Sequence, residues 1–208
     1  MSATRLAEAI VYIVDDDFAV REALSSLLRS YGMRVDAFPD AQSFLQREPS
    51  PSPACLILDV RMPGISGVEL QQRLKLVDPR LPIVFITGHG DIPMAVRAVK
   101  AGAVEFLTKP FSDEALMAAV KQGLRTSIGV KDMPTDVSDL LGRSDSLTSR
   151  EREVVELVVA GQKNKQIASR LRISEITVKV HRRNAMMKMG AGSLAELVRL
   201  IERLRPSV

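Results

Sequence analysis

Apolar and polar residues are arranged along this chain in two successive rhythms. Over the first 128 residues, five short runs are dominated by apolar residues, at 10–14, 33–38, 55–60, 82–87 and 103–107. A run that never alternates with polar residues fits a parallel strand covered by helices on both sides of its sheet. Between the runs the apolar period lengthens to that of a helix. Val20, Leu24, Leu27, Leu28 and Tyr31 form one stripe, which Gly32 ends, and Val68, Leu70 and Leu74 form another. Pro93 opens a further helix that Gly102 closes, and Ser112 is placed to cap 113–127. Pro49, Pro51 and Pro53 make the stretch between the second helix and the third strand a loop. Five strands alternating with five helices predict an α/β doubly wound domain around a five-stranded parallel sheet.

The rhythm changes after residue 128. Residues 129–146 lose periodicity and collect Gly, Pro, Asp and Ser, which reads as an interdomain linker or as an extension of the preceding helix. From 147 every pattern is helical. Thr148-x-x-Glu151 is a capping box ahead of Val154, Leu157 and Val158, with Gly161 as the stop. Asn164 is placed to cap a short helix containing Ile167, Ala168 and Leu171, and Ser174 a third running to about Met189. Ser193 precedes a fourth with Leu194, Leu197, Leu200, Ile201 and Leu204. The chain therefore divides into domains at 1–128 and 147–208, the second an all-α four-helix unit with helix-turn-helix outline.

Charge sharpens this division. Residues 1–128 carry a net charge of −1 and residues 129–208 one of +5; the segment 163–188 holds eight basic residues and one acid, Glu175. The basic excess is a possible footprint for a phosphate backbone. A single cysteine, Cys55, excludes an internal disulfide framework, and two histidines leave little for a His-rich metal site. The N-terminal apolar run stops at Asp15, too short for a signal core or a membrane span. A reduced, cytoplasmic protein is the expectation.

In an open parallel sheet, ligands bind beyond the carboxyl ends of the strands, at the switch in strand order. The predicted strand ends carry Asp15-Asp16-Asp17, Asp59, Thr87 and Lys109. Carboxylates gathered together repel, so they imply a divalent cation, and an all-oxygen set suits Mg²⁺. A lysine and a hydroxyl beside the cation suit a phosphoryl group. The pieces Ile13-Val14-Asp15-Asp16, Leu58-Asp59-Val60-Arg61-Met62-Pro63-Gly64, Thr87-Gly88 and Thr108-Lys109-Pro110-Phe111 together resemble the receiver domain of two-component response regulators. The resemblance implies Asp59 as phosphoryl acceptor and Mg²⁺ ligated by Asp16, Asp59 and the Arg61 carbonyl, with Asp15 acting through a bound water. It also implies that Thr87 and Lys109 bind the phosphoryl oxygens and that Lys109-Pro110 is a cis peptide. Thr87 and Phe106 would form the switch, Phe106 moving into the space that Thr87 vacates; plain core packing is the alternative for Phe106. Asp17 is left without a role.

Winding the third helix of the C-terminal unit at about 100° per residue puts Val178, His181, Ala185 and Met189 on a core face and Lys179, Val180, Arg183 and Met187 on the opposite one. Basic side chains suit guanine edges or phosphates, and an apolar one suits a thymine methyl. Leu147-Thr148-Ser149-Arg150-Glu151, Asn164-Lys165-Gln166-Ile167-Ala168 and Thr177-Val178-Lys179-Val180-His181 resemble the LuxR-type helix-turn-helix. That resemblance implies base contacts from Lys179, Val180 and Arg183, phosphate contacts from Asn164, Lys165 and Thr177, and dimerisation through the last helix. Receiver plus this module is the NarL/FixJ type, and Thr87-Gly-His-Gly-Asp-Ile-Pro-Met-Ala-Val96 leans to the FixJ branch.

The expected protein is a response regulator in which phosphoryl transfer from a histidine kinase to Asp59 switches homodimerisation and DNA binding. Its partners would be that kinase, promoter DNA with paired half-sites and RNA polymerase, with activation as the expected sense. A receiver dimer would use a face presenting Val96, Lys100 and Glu105. The alternatives are a DNA-binding regulator independent of phosphorylation and an aspartyl-phosphate phosphohydrolase. The second would need a general acid where Arg61 stands, so the chain is not expected to be an enzyme for external substrates. No Walker A motif is present.

Overall fold

The computed structural model describes residues 9–48, 50–88, 92–129 and 137–204. They fall into two compact units, 1–89 with 101–132 and 90–100 with 133–208. The strands are β1 (Ile10–Val14), β2 (Arg34–Phe38), β3 (Ala54–Asp59), β4 (Ile83–Thr87) and β5 (Glu105–Thr108). They pair in parallel, in the order β2-β1-β3-β4-β5. The helices that follow successive strands are α1 (Phe18–Ser30), α2 (Ala41–Leu45), α3 (Gly67–Val77), α4 (Ile92–Lys100) and α5 (Asp113–Ser127). The doubly wound reading holds, and strand order reverses between β1 and β3, the position where such sheets open a crevice.

Alternation along each strand builds two cores. Val11, Ile13, Cys55, Ile57, Val84 and Ile86 pack with Leu24 and Leu28 of α1 and Leu116, Val120 and Leu124 of α5. Leu56, Leu58 and Phe85 point the other way and are fully buried, as are Phe44, Leu70 and Leu74. Burial pushes the Cys55 thiol up to about 12, so it sits in this core as an inert apolar group. Ser112 caps α5 as the sequence predicts, its hydroxyl accepting from the Ala115 N–H at 3.2 Å. The cap of α1 is Asp17, whose carboxylate accepts from Ala19 and Val20. The acid left without a role is therefore a helix cap.

The second unit contains α4, α6 (Val137–Asp145), α7 (Ser149–Val159), α8 (Asn164–Leu171), α9 (Glu175–Met189) and α10 (Leu194–Leu204). Two sequence readings change here. The segment 129–146 is not an extension of α5, which ends at Ser127 with Ile128 as its cap; its second half forms the separate helix α6, and 130–136 lie outside the described residues. Asn164 does not cap α8. It is the first helical residue, and Lys163 takes the cap position, its N–H held by the Gln166 carboxamide at 2.8 Å. The Thr148–Glu151 capping box forms as read: the Thr148 hydroxyl accepts from the Glu151 N–H and the Glu151 carboxylate from the Thr148 N–H. Among the described residues no helix is long and apolar enough to cross a membrane.

The expected dimer face is not presented. Val96 and Glu105 are 3% and 7% exposed, and Lys100 forms an ion pair with Glu202 at 3.2 Å. Val96 lies in an apolar cluster of the second unit with Val99, Leu140, Val155 and Leu197. The Glu105 carboxylate folds back to accept from the Phe106 N–H at 2.9 Å. The expectation rests on the place of this face above Thr87 and Phe106, which says nothing of what else packs against it. Packing decides the exposure of Val96 and Glu105.

Candidate functional site

Four strand ends of the first unit deliver four polar side chains to the crevice. Asp15 follows β1, Asp59 ends β3, Thr87 ends β4 and Lys109 follows β5. Asp15, Asp59 and Thr87 are buried, which is costly for such groups unless they are paired. The Lys109 Nζ lies 2.8 Å from Asp15 Oδ2 and 3.2 Å from Asp59 Oδ1, bridging the two carboxylates. The Arg61 N–H donates to the other Asp59 oxygen at 2.6 Å, and Asp15 accepts from the Asp17 N–H at 2.9 Å. Arg21, which the sequence reading did not single out, donates to the Asp15 carbonyl at 2.7 Å. The Lys109 N–H donates to the Thr87 carbonyl at 2.8 Å, which locks β5's exit to β4, and the Lys109–Pro110 peptide is cis.

The electrostatics follow from burial. Desolvation raises the Asp59 carboxyl above the usual carboxylate range; the Arg61 N–H and the Lys109 charge pull it down, and Asp15 pushes it up again. For Lys109 desolvation pulls down, but the bonds and charges of Asp15 and Asp59 outweigh it, so its ammonium is held protonated. One ammonium therefore faces two buried carboxylates, and Asp16 stands exposed beside them. An oxygen-only donor set with surplus negative charge is chemically suited to a hard divalent cation. Among the described residues no three Asp, Glu, His or Cys side chains are grouped closely enough to hold a metal by themselves. Carbonyl and water oxygens must complete any such site.

Gly67, the first residue of α3, was also missed. A Cβ there would run into the Asp59 carbonyl oxygen, and its N–H donates to the Val60 carbonyl at 3.0 Å. The helix thus rests directly on the backbone that carries Asp59, and only glycine permits that approach. Phe106 is half-buried on β5, its ring 6.2 Å from that of Phe85 and tilted by 43°.

In the second unit α9 carries the basic residues. Ser174 caps it, accepting from the Thr177 N–H at 3.0 Å and sharing a hydroxyl–hydroxyl bond with Thr177 at 2.8 Å. Val178, Ala185 and Met189 are buried and His181 half-buried, while Lys179, Val180, Arg183 and Met187 are exposed, so the predicted division of faces is observed. Lys165 is exposed on α8; Asn164 is half-buried, its Oδ1 without a hydrogen-bond partner in the described structure. The 89–91 part of the FixJ-like stretch lies outside the described residues. One exposed large apolar residue of α9 escaped the sequence reading: Ile176. The signal was available, since it shares a helical face with Val180 and Arg183.

Comparison with known proteins covers both parts of the chain. Residues 11–121 match the response regulator receiver domain family, and residues 145–201 match the bacterial regulatory proteins of the luxR family. The chain is 50% identical over 201 residues to the response regulator protein TmoT of Ectopseudomonas mendocina, covering 97% of this chain and 91% of that one. It is 46% identical over 193 residues to the transcriptional regulatory protein FixJ of Bradyrhizobium diazoefficiens, covering 93% and 94%. Among solved structures, the response regulator StyR matches with a TM-score of 0.56 at 49% identity, covering 94% of this chain and 99% of that one. Two family matches in tandem, with relatives sharing both along nearly their whole length, lead to one assignment: the chain belongs to the two-component response regulators that carry a LuxR-type DNA-binding domain.

Proposed function

We propose that phosphoryl transfer from a sensor histidine kinase to Asp59 switches this chain from a weak to a strong binder of promoter DNA. The observation that carries this reading is the Asp15–Lys109–Asp59 arrangement at the sheet's switch point. In the reaction, an Asp59 carboxylate oxygen bonds to phosphorus as the P–N bond of the kinase phosphohistidine breaks. The imidazole leaves and takes a proton from solvent. Lys109, already 3.2 Å from Asp59, neutralises charge on the transferred group, and the Thr87 hydroxyl is the donor at the end of the neighbouring strand. Catalysis is then positioning and electrostatics, performed on the chain's own side chain rather than on an external substrate.

Mg²⁺, held by Asp16, Asp59, the Arg61 carbonyl and, through water, Asp15, would supply further charge neutralisation for the phosphoryl oxygens. The new oxygens on Asp59 attract Thr87, and Phe106, half-buried on the adjacent strand opposite Phe85, follows. The output is a homodimer that engages paired half-sites and recruits RNA polymerase to activate transcription in the cytoplasm. Lys179, Val180 and Arg183 face the bases, while Lys165, Asn164 and Thr177 sit where the two helices meet the phosphates.

The test is covalent. Incubated with a small phosphodonor and Mg²⁺, the chain should gain one phosphate in an intact-mass spectrum, and Asp59→Asn should gain none. Labelling of Asp59→Asn at the wild-type rate would overturn the acceptor assignment.

A further inference from the structure

We infer that Ile176 reads a thymine methyl group in the operator, next to the base contacted by Val180. The inference rests on the reading of α9 as the helix that enters the major groove. Among the described residues eight large hydrophobic side chains are exposed, and three of them stand on α9: Ile176 at 75%, Val180 at 50% and Met187 at 64%. Residues 176, 180, 183 and 187 fall within roughly 60° of one another around a helix. Three apolar side chains and Arg183 therefore line one ridge, opposite the face that Val178, Ala185 and Met189 bury. Exposed apolar surface aligned in this way marks a contact surface.

The surroundings of the ridge decide what covers it. Lys179 and Arg183 are exposed on the same helix, Lys165 and Arg170 on the preceding one, and Glu175 is the one acid among residues 163–188. A cationic rim around an apolar line fits duplex DNA, where phosphates flank a groove floor whose one apolar group is the thymine 5-methyl. An apolar protein partner would not call for that density of positive charge. Spacing limits which residues take part. Ile176 and Val180 are separated by about 6 Å along the axis, a distance that spans neighbouring base pairs, whereas Met187 lies roughly 16 Å from Ile176. The N-terminal residues of a recognition helix meet the bases, so Met187 falls beyond them.

The experiment removes single methyl groups. A binding site is first selected from random duplexes by the full-length chain treated with a small phosphodonor and Mg²⁺. Each thymine in that site is then replaced by deoxyuridine, which differs only by the methyl. For the wild-type chain, uracil at one position per half-site should weaken binding about threefold to tenfold beyond the Val180 position, the effect of one buried methyl. In Ile176→Ala that penalty should vanish while the other uracil penalties persist, Ile176→Val should retain part of it, and Met187→Ala should leave all of them unchanged. If every uracil penalty survives in Ile176→Ala, Ile176 reads no methyl and the inference fails alone. If Lys179→Ala and Arg183→Ala also bind the selected site like the wild type, the reading of α9 fails with it. Uniform weakening of Ile176→Ala on selected and random duplexes, with no change in any uracil penalty, likewise overturns it and points to a protein contact on this ridge.

Discussion

Asp59 illustrates how one residue's chemistry is set by its burial. Desolvation lifts its carboxyl above the ordinary range, so in the folded chain the carboxylate is held at a cost once the pH exceeds that raised value. The sign follows: stability attached to the raised group is fully present below the unfolded pKa and is lost as pH rises through the folded one. In chelator, Asp59→Asn should therefore melt above the wild type at pH 7, and the gap should close as pH falls toward about 4. A gap that widens on acidification would show that Lys109 more than compensates the carboxylate. Gly67 is the second instance. Gly67→Ala should cost about 1–3 kcal/mol by overpacking against Asp59 and slow its labelling by the phosphodonor. Unchanged labelling and melting would mean that α3 does not bear on Asp59. Asp59 stands out in the sequence through its motif and its place at a strand end. Gly67 does not, because a close approach between a helix and the carbonyl that ends the preceding strand leaves no mark in hydrophobic pattern.

Among the elements, α7 and α9 are tied by one charged contact. Lys188 of α9 donates to Glu151 at 2.7 Å and to the Ser146 carbonyl at 3.2 Å. The Lys188 bond chiefly holds the Glu151 carboxyl below its usual range, burial opposes this, and the Thr148 bonds reinforce it. A lowered carboxylate contributes stability above its unfolded pKa and loses it as pH falls through the folded one. Glu151→Gln should weaken hydrogen-exchange protection of the α7 amides at pH 7 by about 1 kcal/mol, discounted because Lys188 is partly exposed. The deficit should begin to shrink below about pH 4 and close once the pH is under the lowered Glu151 value; a deficit independent of pH would assign the effect to packing. The capping box was legible because it is local, spanning four residues. Its ion pair to a helix 37 residues away was not.

The same helix separates two kinds of DNA contact. Arg183→Ala should weaken the selected site by about 1–3 kcal/mol more than random DNA. Lys165→Ala should weaken both equally and lower the salt slope by about one. Equal losses on both duplexes for both variants would refute the division, as read by fluorescence anisotropy at two salt concentrations.

At the scale of the whole molecule the chain carries a chemical site in one compact unit and a DNA-binding helix in the other. Dimerisation is a sufficient link, because two copies held together meet paired half-sites at a high effective concentration. Phosphorylation should then strengthen binding to a duplex with two half-sites by about 10²-fold or more, and leave a single half-site unaffected. A single half-site that gains as much would exclude dimerisation as the link. The face first expected to form this dimer is unsuitable as read, since Val96 and Glu105 are buried.

Periodicity and strand-end chemistry determined the five parallel strands, the helices between them, and Asp15, Asp59, Thr87 and Lys109 as one site. These features are short apolar runs, repeats of 3.6 residues, or fixed offsets from a strand, so local order encodes them. The faces of α9 were readable for the same reason. Tertiary structure alone decided that Lys109 lies between two carboxylates and that Val96 and Glu105 are buried. Each of these depends on which atoms meet across tens of residues of chain, and a pairwise distance in space has no periodic signature in sequence.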